Sequence, residues 1–534
     1  MAQARLAYAP SLLCAVFFVS GASALIFETL WFHQASLAFG SSVWASSLVL
    51  SGFMAGLALG SATAAWKGSR LGPPLRAYAV LEAVIAISGV ALVYLLPAMG
   101  TVTKPLLQPV MELPWVLNPA RLLFAFVVLL VPSTAMGLTL PLLTETLMNT
   151  DPNFGRTLGR LYGWNTLGAV LGAVVAETLL IGTLGIHGSG LLAGSLNLLA
   201  ALVVGLLYRS LGKQSTSTVS EPAPNVRPQA GPWLGAAFLS GFALLALEVI
   251  WFRFLLLFVT GTTLSFAVML AVVLAGIALG GLAASRWLRL AHDGFRYAAA
   301  VAAASGLLCA VSYRAFPWIV APFGSKEISG FFAVLRVSVP LMLPVSFLSG
   351  VFFTLAGSAM RRNYPSATAA TGVLTFANTT GAALGAFAGG FLLLPRLGME
   401  ASFFLIAVLY GVIGLAVFAR GQIPRQLLYP IGGAWLLALV LFPWGAMRHR
   451  FLMTAAGRWA GSREWRLAGL REGLDATVMY VEELVFGQAH QDYRLVTNSL
   501  SMSTTEFGAR RYMKLYVYLP VAVHPDLRSA LLIS

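Results

Sequence analysis

Charge is scarce in this chain. Asp, Glu, Lys and Arg make up 10% of 534 residues, against about a quarter in a soluble domain, so there is not enough polar surface to keep such a chain in water. Cysteine is nearly absent. Cys14 and Cys309 both fall inside apolar stretches, which excludes a disulfide framework and reads them as small buried hydrophobes. The six histidines are scattered, and none forms a pair at metal-ligand spacing. No phosphate-binding loop of the Gly-x-x-x-x-Gly-Lys type occurs, nor a Gly-x-Gly-x-x-Gly after a strand. Acids number 19 against 34 Lys and Arg, a formal charge of +15. Most of that excess sits in short loops beside apolar runs, which fits anionic lipid rather than nucleic acid.

What the chain has is hydrocarbon. Hydrophobic residues reach 58% and the mean hydropathy is +0.82, so a bilayer is its natural solvent. Taking about 20 apolar residues per crossing, the sequence predicts spans at Ser11–Phe32, Val43–Trp66, Tyr78–Met99, Leu122–Leu147, Leu161–Ile181 and Gly188–Tyr208. After the polar stretch Arg209–Pro232 come Trp233–Val259, Thr263–Ser285, Tyr297–Val320, Val337–Ser358, Ala369–Leu394 and Ala401–Phe418. A shorter run, Leu427–Ala446, reads as a thirteenth span. Lys and Arg concentrate in the loops on the side of Arg5, Lys67, Arg156 and Arg209, which puts the N-terminus and the central linker in the cytoplasm.

The two halves repeat each other. Ser20-Gly21, Glu28, Trp31-Phe32 and Gly56-x-Ala58-Leu59-Gly60 recur as Ser240-Gly241, Glu248, Trp251-Phe252 and Gly276-x-Ala278-Leu279-Gly280. Asn165-Thr166-x-Gly168-Ala169 recurs as Asn378-Thr379-x-Gly381-Ala382, and Leu184-Gly185 as Leu397-Gly398. Six crossings per repeat is even, so both copies face the same way, the parallel duplication of major-facilitator-like proteins. Glu28 and Glu248 are costly in hydrocarbon and must face the bundle interior, be protonated or meet a cation such as Arg253. Two readings stay open: a central polar site at the pseudo-two-fold interface, or structural glue between helices. Asn165 and Asn378, in glycine-rich surroundings, read as glue. Trp31 and Trp251 read as interfacial anchors.

Beyond Ala446 the chemistry changes: 11 of the 34 basic and eight of the 19 acidic residues lie there. Ala476–Val485 and Tyr493–Thr497 are strand candidates, Leu500–Glu506 a polar turn region, and Ala509–Leu519 a helix that Pro520 stops. Glu482-Glu483 reads as a solvated edge. Ser529–Ser534 reads as the first strand of an α/β domain.

With Glu28–Phe32, Gly56–Gly60, Glu472-Gly473, Ala476-Thr477-Val478, Asn498–Thr505, Ala509–Lys514, Leu519-Pro520 and His524-Pro525 in this order, the whole chain resembles the bacterial proteins in which a major-facilitator-like membrane region is fused to a spermidine-synthase-like domain. The resemblance implies aminopropyl transfer to a polyamine, with decarboxylated S-adenosylmethionine as cofactor of a complete member. It places Asn498, Met502 and Tyr512 at a remnant of the substrate pocket. The sequence departs from that pattern, reading Asn498-Ser499-Leu500-Ser501-Met502 where the family has Asp-Gly-x-x-Gln, and Arg510-Arg511 beside Tyr512 would repel a cationic diamine.

The expected architecture is an all-α polytopic bundle of two parallel six-helix repeats (1–208 and 233–426), joined by a cytoplasmic linker (209–232). A thirteenth span (427–446), a spermidine-synthase-like β-domain (447–528) and the first strand of a missing Rossmann-like domain (529–534) follow. No cofactor is expected on the chain as it stands, and no nucleic acid. The expected partners are the bilayer of a bacterial inner membrane and a small-molecule substrate. Function divides between a transferase relative that lacks its cofactor-binding domain and a transporter using Glu28 and Glu248. The segment 447–534 is expected on the extracytoplasmic side.

Overall fold

A backbone in hydrocarbon must satisfy its own hydrogen bonds, and a helix is the local way to do so. The structure, a computed structural model, describes the chain apart from residues 1, 40–42, 99–113, 212–229, 292, 325, 419–424, 461–463, 474–475, 486–487, 525, 527 and 530–534. The central linker and the expected terminal strand thus lie almost wholly outside the described residues. The first repeat consists of α1 (Ala2–Phe39), α2 (Val43–Lys67), α3 (Pro74–Leu95), α4 (Pro114–Met148), α5 (Phe154–Val175) and α6 (Ile181–Leu211). The second consists of α7 (Ala230–Leu255), α8 (Thr263–Leu290), α9 (Ala298–Val320), α10 (Phe331–Met360), α11 (Ala367–Ala388) and α12 (Leu394–Phe418).

Among the described residues nine apolar helical runs are long enough to cross a membrane, and two of them are double: Phe154–Ser210 has 57 residues and Ala367–Phe418 has 52. At 1.5 Å per residue a run of that size is roughly 80 Å long, more than twice a hydrocarbon core of about 30 Å. Each must therefore supply two crossings. The break falls at Gly185 (φ 66°) in one and Gly398 (φ 76°) in the other, a backbone conformation that glycine adopts at no steric cost. Each break is preceded by one wide π turn, Ala176–Leu180 and Gly389–Leu393.

The repeat is also a repeat of contacts. A Cβ on Gly168 would run into the carbonyl of Phe18, and one on Gly381 into the carbonyl of Phe238; Gly21 faces Asn165 as Gly241 faces Asn378. Gly60 likewise meets Thr134 and Gly280 meets Phe347. These glycines let α1 and α5, α7 and α11, α2 and α4, and α8 and α10 approach backbone to backbone, which is how helices associate where lipid supplies no hydrophobic drive. Replacing Gly168 by Leu should therefore cost about 1–3 kcal/mol or more through overpacking. A lowered melting temperature in detergent is the expected result.

The repeats meet along α5 with α8 and α2 with α11. The closest approaches lie on the face carrying the N-terminus, called here the N-face. There Gly159 lies against the Gly281 carbonyl and Thr354, and Gly372 against Ser61 and Ala65. Polar ties close the same end: Asn153 Nδ2 donates to the Leu288 carbonyl (3.1 Å), Ser285 Oγ to the Arg156 carbonyl (2.8 Å), and Thr368 N to Glu145 (2.7 Å).

After α12 the chain returns to the opposite face through α13 (Arg425–Val440). Trp435 donates to the Ala407 carbonyl at 2.9 Å on the way, and Glu400 accepts from Gly445 N (2.9 Å) and Met447 N (3.0 Å) at the far end. The helix is shorter than the run Leu427–Ala446 because a turn containing Pro443 ends it. A π turn (Met447–Phe451) then leads into α14 (Leu452–Ala460) and an antiparallel meander of β1 (Glu464–Glu472), β2 (Thr477–Val485), β3 (Gln488–Thr497) and β4 (Leu500–Thr504). Met479, Val481 and Val496 point from one sheet face into the core of the second repeat, following the two-residue strand period. Last comes α15 (Phe507–Val523).

Several sequence expectations are corrected here. The region Leu500–Glu506 forms a strand rather than a turn, because it pairs with β3. Pro520 lies inside α15 instead of ending it. Glu482 is buried and ion-paired with Arg466 at 2.6 Å, not a solvated edge. Trp31 and Trp251 are fully buried rather than interfacial; Trp31 stacks on Phe27 and donates to the Gly89 carbonyl at 3.3 Å.

Candidate functional site

Six carboxylates lie within the twelve helices of the two repeats and the π turns that join them, among the described residues, and four of them are committed to protein partners. Glu82 accepts from Ser20 Oγ (2.7 Å) and Glu145 from Thr368 N and Oγ1. Glu177 pairs with His33 Nε2 at 2.6 Å. Glu400 holds Tyr313 Oη (2.9 Å) and the two backbone amides after α13. Glu28 and Glu248 are different. Each is half-buried, and neither has a hydrogen-bond or ion-pair partner among the described residues. They are near enough for the charge of Glu28 to act on Glu248. The duplication thus brings two part-exposed carboxylates, one from each repeat, within range of each other's charge.

Aromatic rings flank the pair. Phe32 and Phe252, each one helical turn beyond its glutamate, both contact Phe266 of α8, with ring centroids 6.1 Å and 4.8 Å apart. The first is a contact between repeats. Since α1 and α7 run away from the N-face, these rings lie on the far side of the carboxylates, while the N-face is closed by the glycine contacts.

The remaining candidates divide. Asn165 Nδ2 donates to the Phe17 carbonyl at 3.0 Å, tying α5 to α1, and Asn378 lies against Gly241 in the corresponding place. Arg253 does not serve Glu248. Its Nη2 donates to the Gly473 carbonyl at 2.6 Å and its charge acts on Glu472, so the guanidinium holds the β1–β2 turn to the end of α7. Asn498, at φ 54° in the β3–β4 turn, ties that turn to the start of β2 by accepting from Thr477 N (2.9 Å). Met502 and Tyr512 are largely exposed.

Sequence reasoning missed His33, Glu177 and Glu82. The signal for His33 lay one residue past the repeat motif, where Trp31-Phe32-His33 matches Trp251-Phe252-Arg253. The basic position is common to both repeats; the first spends it on Glu177, the second on the β-segment. Glu82 was marked only by being an acid within an apolar run.

The β-segment is anchored at Glu472, whose carboxylate accepts from Met399 N at 2.7 Å just past the Gly398 break. Burial raises this carboxyl above its ordinary range, opposed by the Met399 amide and the Arg253 charge. A pKa higher in the docked state than in the free one means the carboxyl favours docking below the ordinary carboxylate range. That contribution is lost as pH rises through the raised value. Proteolysis of the segment should accordingly be slower in mild acid than at neutral pH. Arg253→Ala should speed it at every pH, by removing a charge-assisted bond of about 1.5–3 kcal/mol.

No protein-family model and no curated protein matches the chain. Solved structures do. A variant of the E. coli fucose:proton symporter FucP superposes with a TM-score of 0.50 at 16% identity, covering 78% of this chain and 99% of that one. FucP described as a Major Facilitator Superfamily transporter in the outward conformation gives 0.51 at 16% identity, covering 78% and 100%. The human organic anion transporter MFSD10 (TETRAN) gives 0.45 at 16% identity, covering 76% and 99%. On the two FucP superpositions the chain has the major-facilitator fold: a multi-pass membrane protein of two six-helix repeats, with a small β-segment added at its C-terminal end.

Proposed function

We propose that this protein is a membrane transporter of a small solute, working by alternating access about the site formed by Glu28 and Glu248. The observation that carries the reading is the contrast among the buried acids. Four are anchored as structural glue, and two, one from each repeat, are left without a protein partner and within range of each other's charge. An intramembrane carboxylate without a partner is expensive, and glue would have supplied one. The fold supports the same reading, and a neighbour of like fold is named as a proton symporter; a proton is one means of balancing such a pair. The closed N-face, with rings over the opposite side, fits a cycle in which one end opens as the other shuts. The basic loops of the N-face support a cytoplasmic side for it, and with it an outside position for the β-segment. No observation favours aminopropyl transfer or a decarboxylated S-adenosylmethionine site over this reading.

The reading can be tested without knowing the solute. A cysteine in place of Leu282, which packs against Gly163 on the N-face, should react slowly with a membrane-impermeant maleimide applied from that face. Cross-linking cysteines placed at Phe32 and Phe266 should shut the far side and speed the reaction. No reaction in either state, with the protein folded, would contradict alternating access.

A further inference from the structure

Taking the transporter reading as its basis, we infer that the Glu28–Glu248 site receives an organic cation, an amine or quaternary ammonium whose charge lies between the carboxylates and whose carbon body lies on Phe32, Phe252 and Phe266. The first argument is charge balance. Two like charges acting on each other in a partly desolvated interface need a positive partner, and the basic residues that follow each glutamate on α1 and α7, with three others on that side, are engaged elsewhere. His33 is bound to Glu177. Arg253 holds the Gly473 carbonyl and Arg314 the Leu441 carbonyl. Arg396 donates to the Phe391 carbonyl, and Arg336 lies over the Phe323 ring at 5.5 Å. The charge that balances the site therefore comes from a proton or from the solute, a cationic solute taking the place of one proton or of both.

The second argument is the wall. Phe32 and Phe252 stand four residues after their glutamates, on the same faces of α1 and α7, and meet at Phe266. Carboxylates beside clustered ring faces recognise cations doubly, by ion pairing and by the ring quadrupole. An anionic solute would meet two carboxylates, with His33 and Arg253 beside them already bound, and a neutral one would gain an ion pair with neither.

Calorimetry on the purified full-length protein in detergent tests this with three probes of one shape: benzylammonium, benzyl alcohol and benzoate. Saturable binding of benzylammonium alone is the expected result. It should weaken at least tenfold in Glu28→Gln and in Glu248→Gln, and several-fold in Phe266→Ala. The Glu→Gln variants should keep the parent's melting temperature, so that lost binding is not lost fold. Absence of benzylammonium binding, equal binding of the alcohol, or binding of benzoate would each overturn the inference. If the Leu282 cysteine still reports alternate opening in that event, the transporter reading stands and only the cationic solute falls; if it does not, both fall.

Discussion

Exchanging Glu248 for Gln is expected to lower the affinity for the transported solute by roughly 30-fold or more, with Glu28→Gln close behind. Losing one member of a buried charge-assisted contact costs about 2–5 kcal/mol, and each 1.4 kcal/mol is about tenfold. Stability should move the other way. Neither carboxylate has a protein partner to lose, and the charge of Glu28 acts on Glu248, so removing one relieves repulsion. The melting temperature should hold or rise. The structural-glue reading makes the opposite pair of expectations, a falling melting temperature with binding unchanged. Measuring both on one set of variants decides between the two readings that the sequence leaves open.

The second large effect is expected at the N-face. A side chain at Gly372 would be pressed against Ala65 N (2.6 Å) and the Ser61 carbonyl (2.7 Å), and one at Gly159 against Thr354 Cγ2 (2.6 Å) and the Gly281 carbonyl (2.7 Å). Both contacts join the repeats and are made when this face is closed. Overpacking of about 1–3 kcal/mol acting on the closed state alone shifts the equilibrium toward the N-face-open state by about 5- to 150-fold. Gly372→Leu and Gly159→Leu should therefore bring the Leu282 cysteine into rapid reaction with maleimide and abolish solute exchange. Gly168→Leu, whose contact lies within one repeat, should lower stability in both states without biasing them. Equal behaviour of the three variants would contradict this view of the gate.

The membrane region was legible because bilayer physics writes a long, coarse signal. Crossings declare themselves by length and apolarity, and the duplication could be read from Ser20, Glu28, Gly56 and Asn165 and their later copies. Gly185 and Gly398 were visible as a matched pair, but their purpose, breaking two long helices, needed the backbone angles. What stayed hidden depends on distant partners. The choice between Glu28 as glue and Glu28 as site turns on what lies opposite it, and no local pattern encodes that. Trp31 looks like an interfacial anchor until its indole N–H is seen to donate to the Gly89 carbonyl inside the bundle. Arg253, five residues past Glu248, looked like its counter-ion, yet five residues place it on another face of the helix, where the β1–β2 turn claims it. In the C-terminal segment, β1 escaped notice because the bulge between Leu467 and Gly469 breaks the alternation that Trp465, Arg466 and Leu467 begin, and Leu500–Thr504 because strand pairing overrode its turn-like composition.

Alternating access about the Glu28–Glu248 pair is tested most directly by the distance between spin labels at Thr150 and Leu290, two exposed N-face positions in different repeats. The native cysteines, Cys14 and Cys309, are buried, so labelling can be confined to introduced sites. The pulsed dipolar spectrum of the reconstituted protein should show two distance populations, one matching the closed face seen here and one longer. Glu28→Gln with Glu248→Gln should redistribute weight between those two without creating a third. A single population, unmoved by the double substitution, would contradict the account.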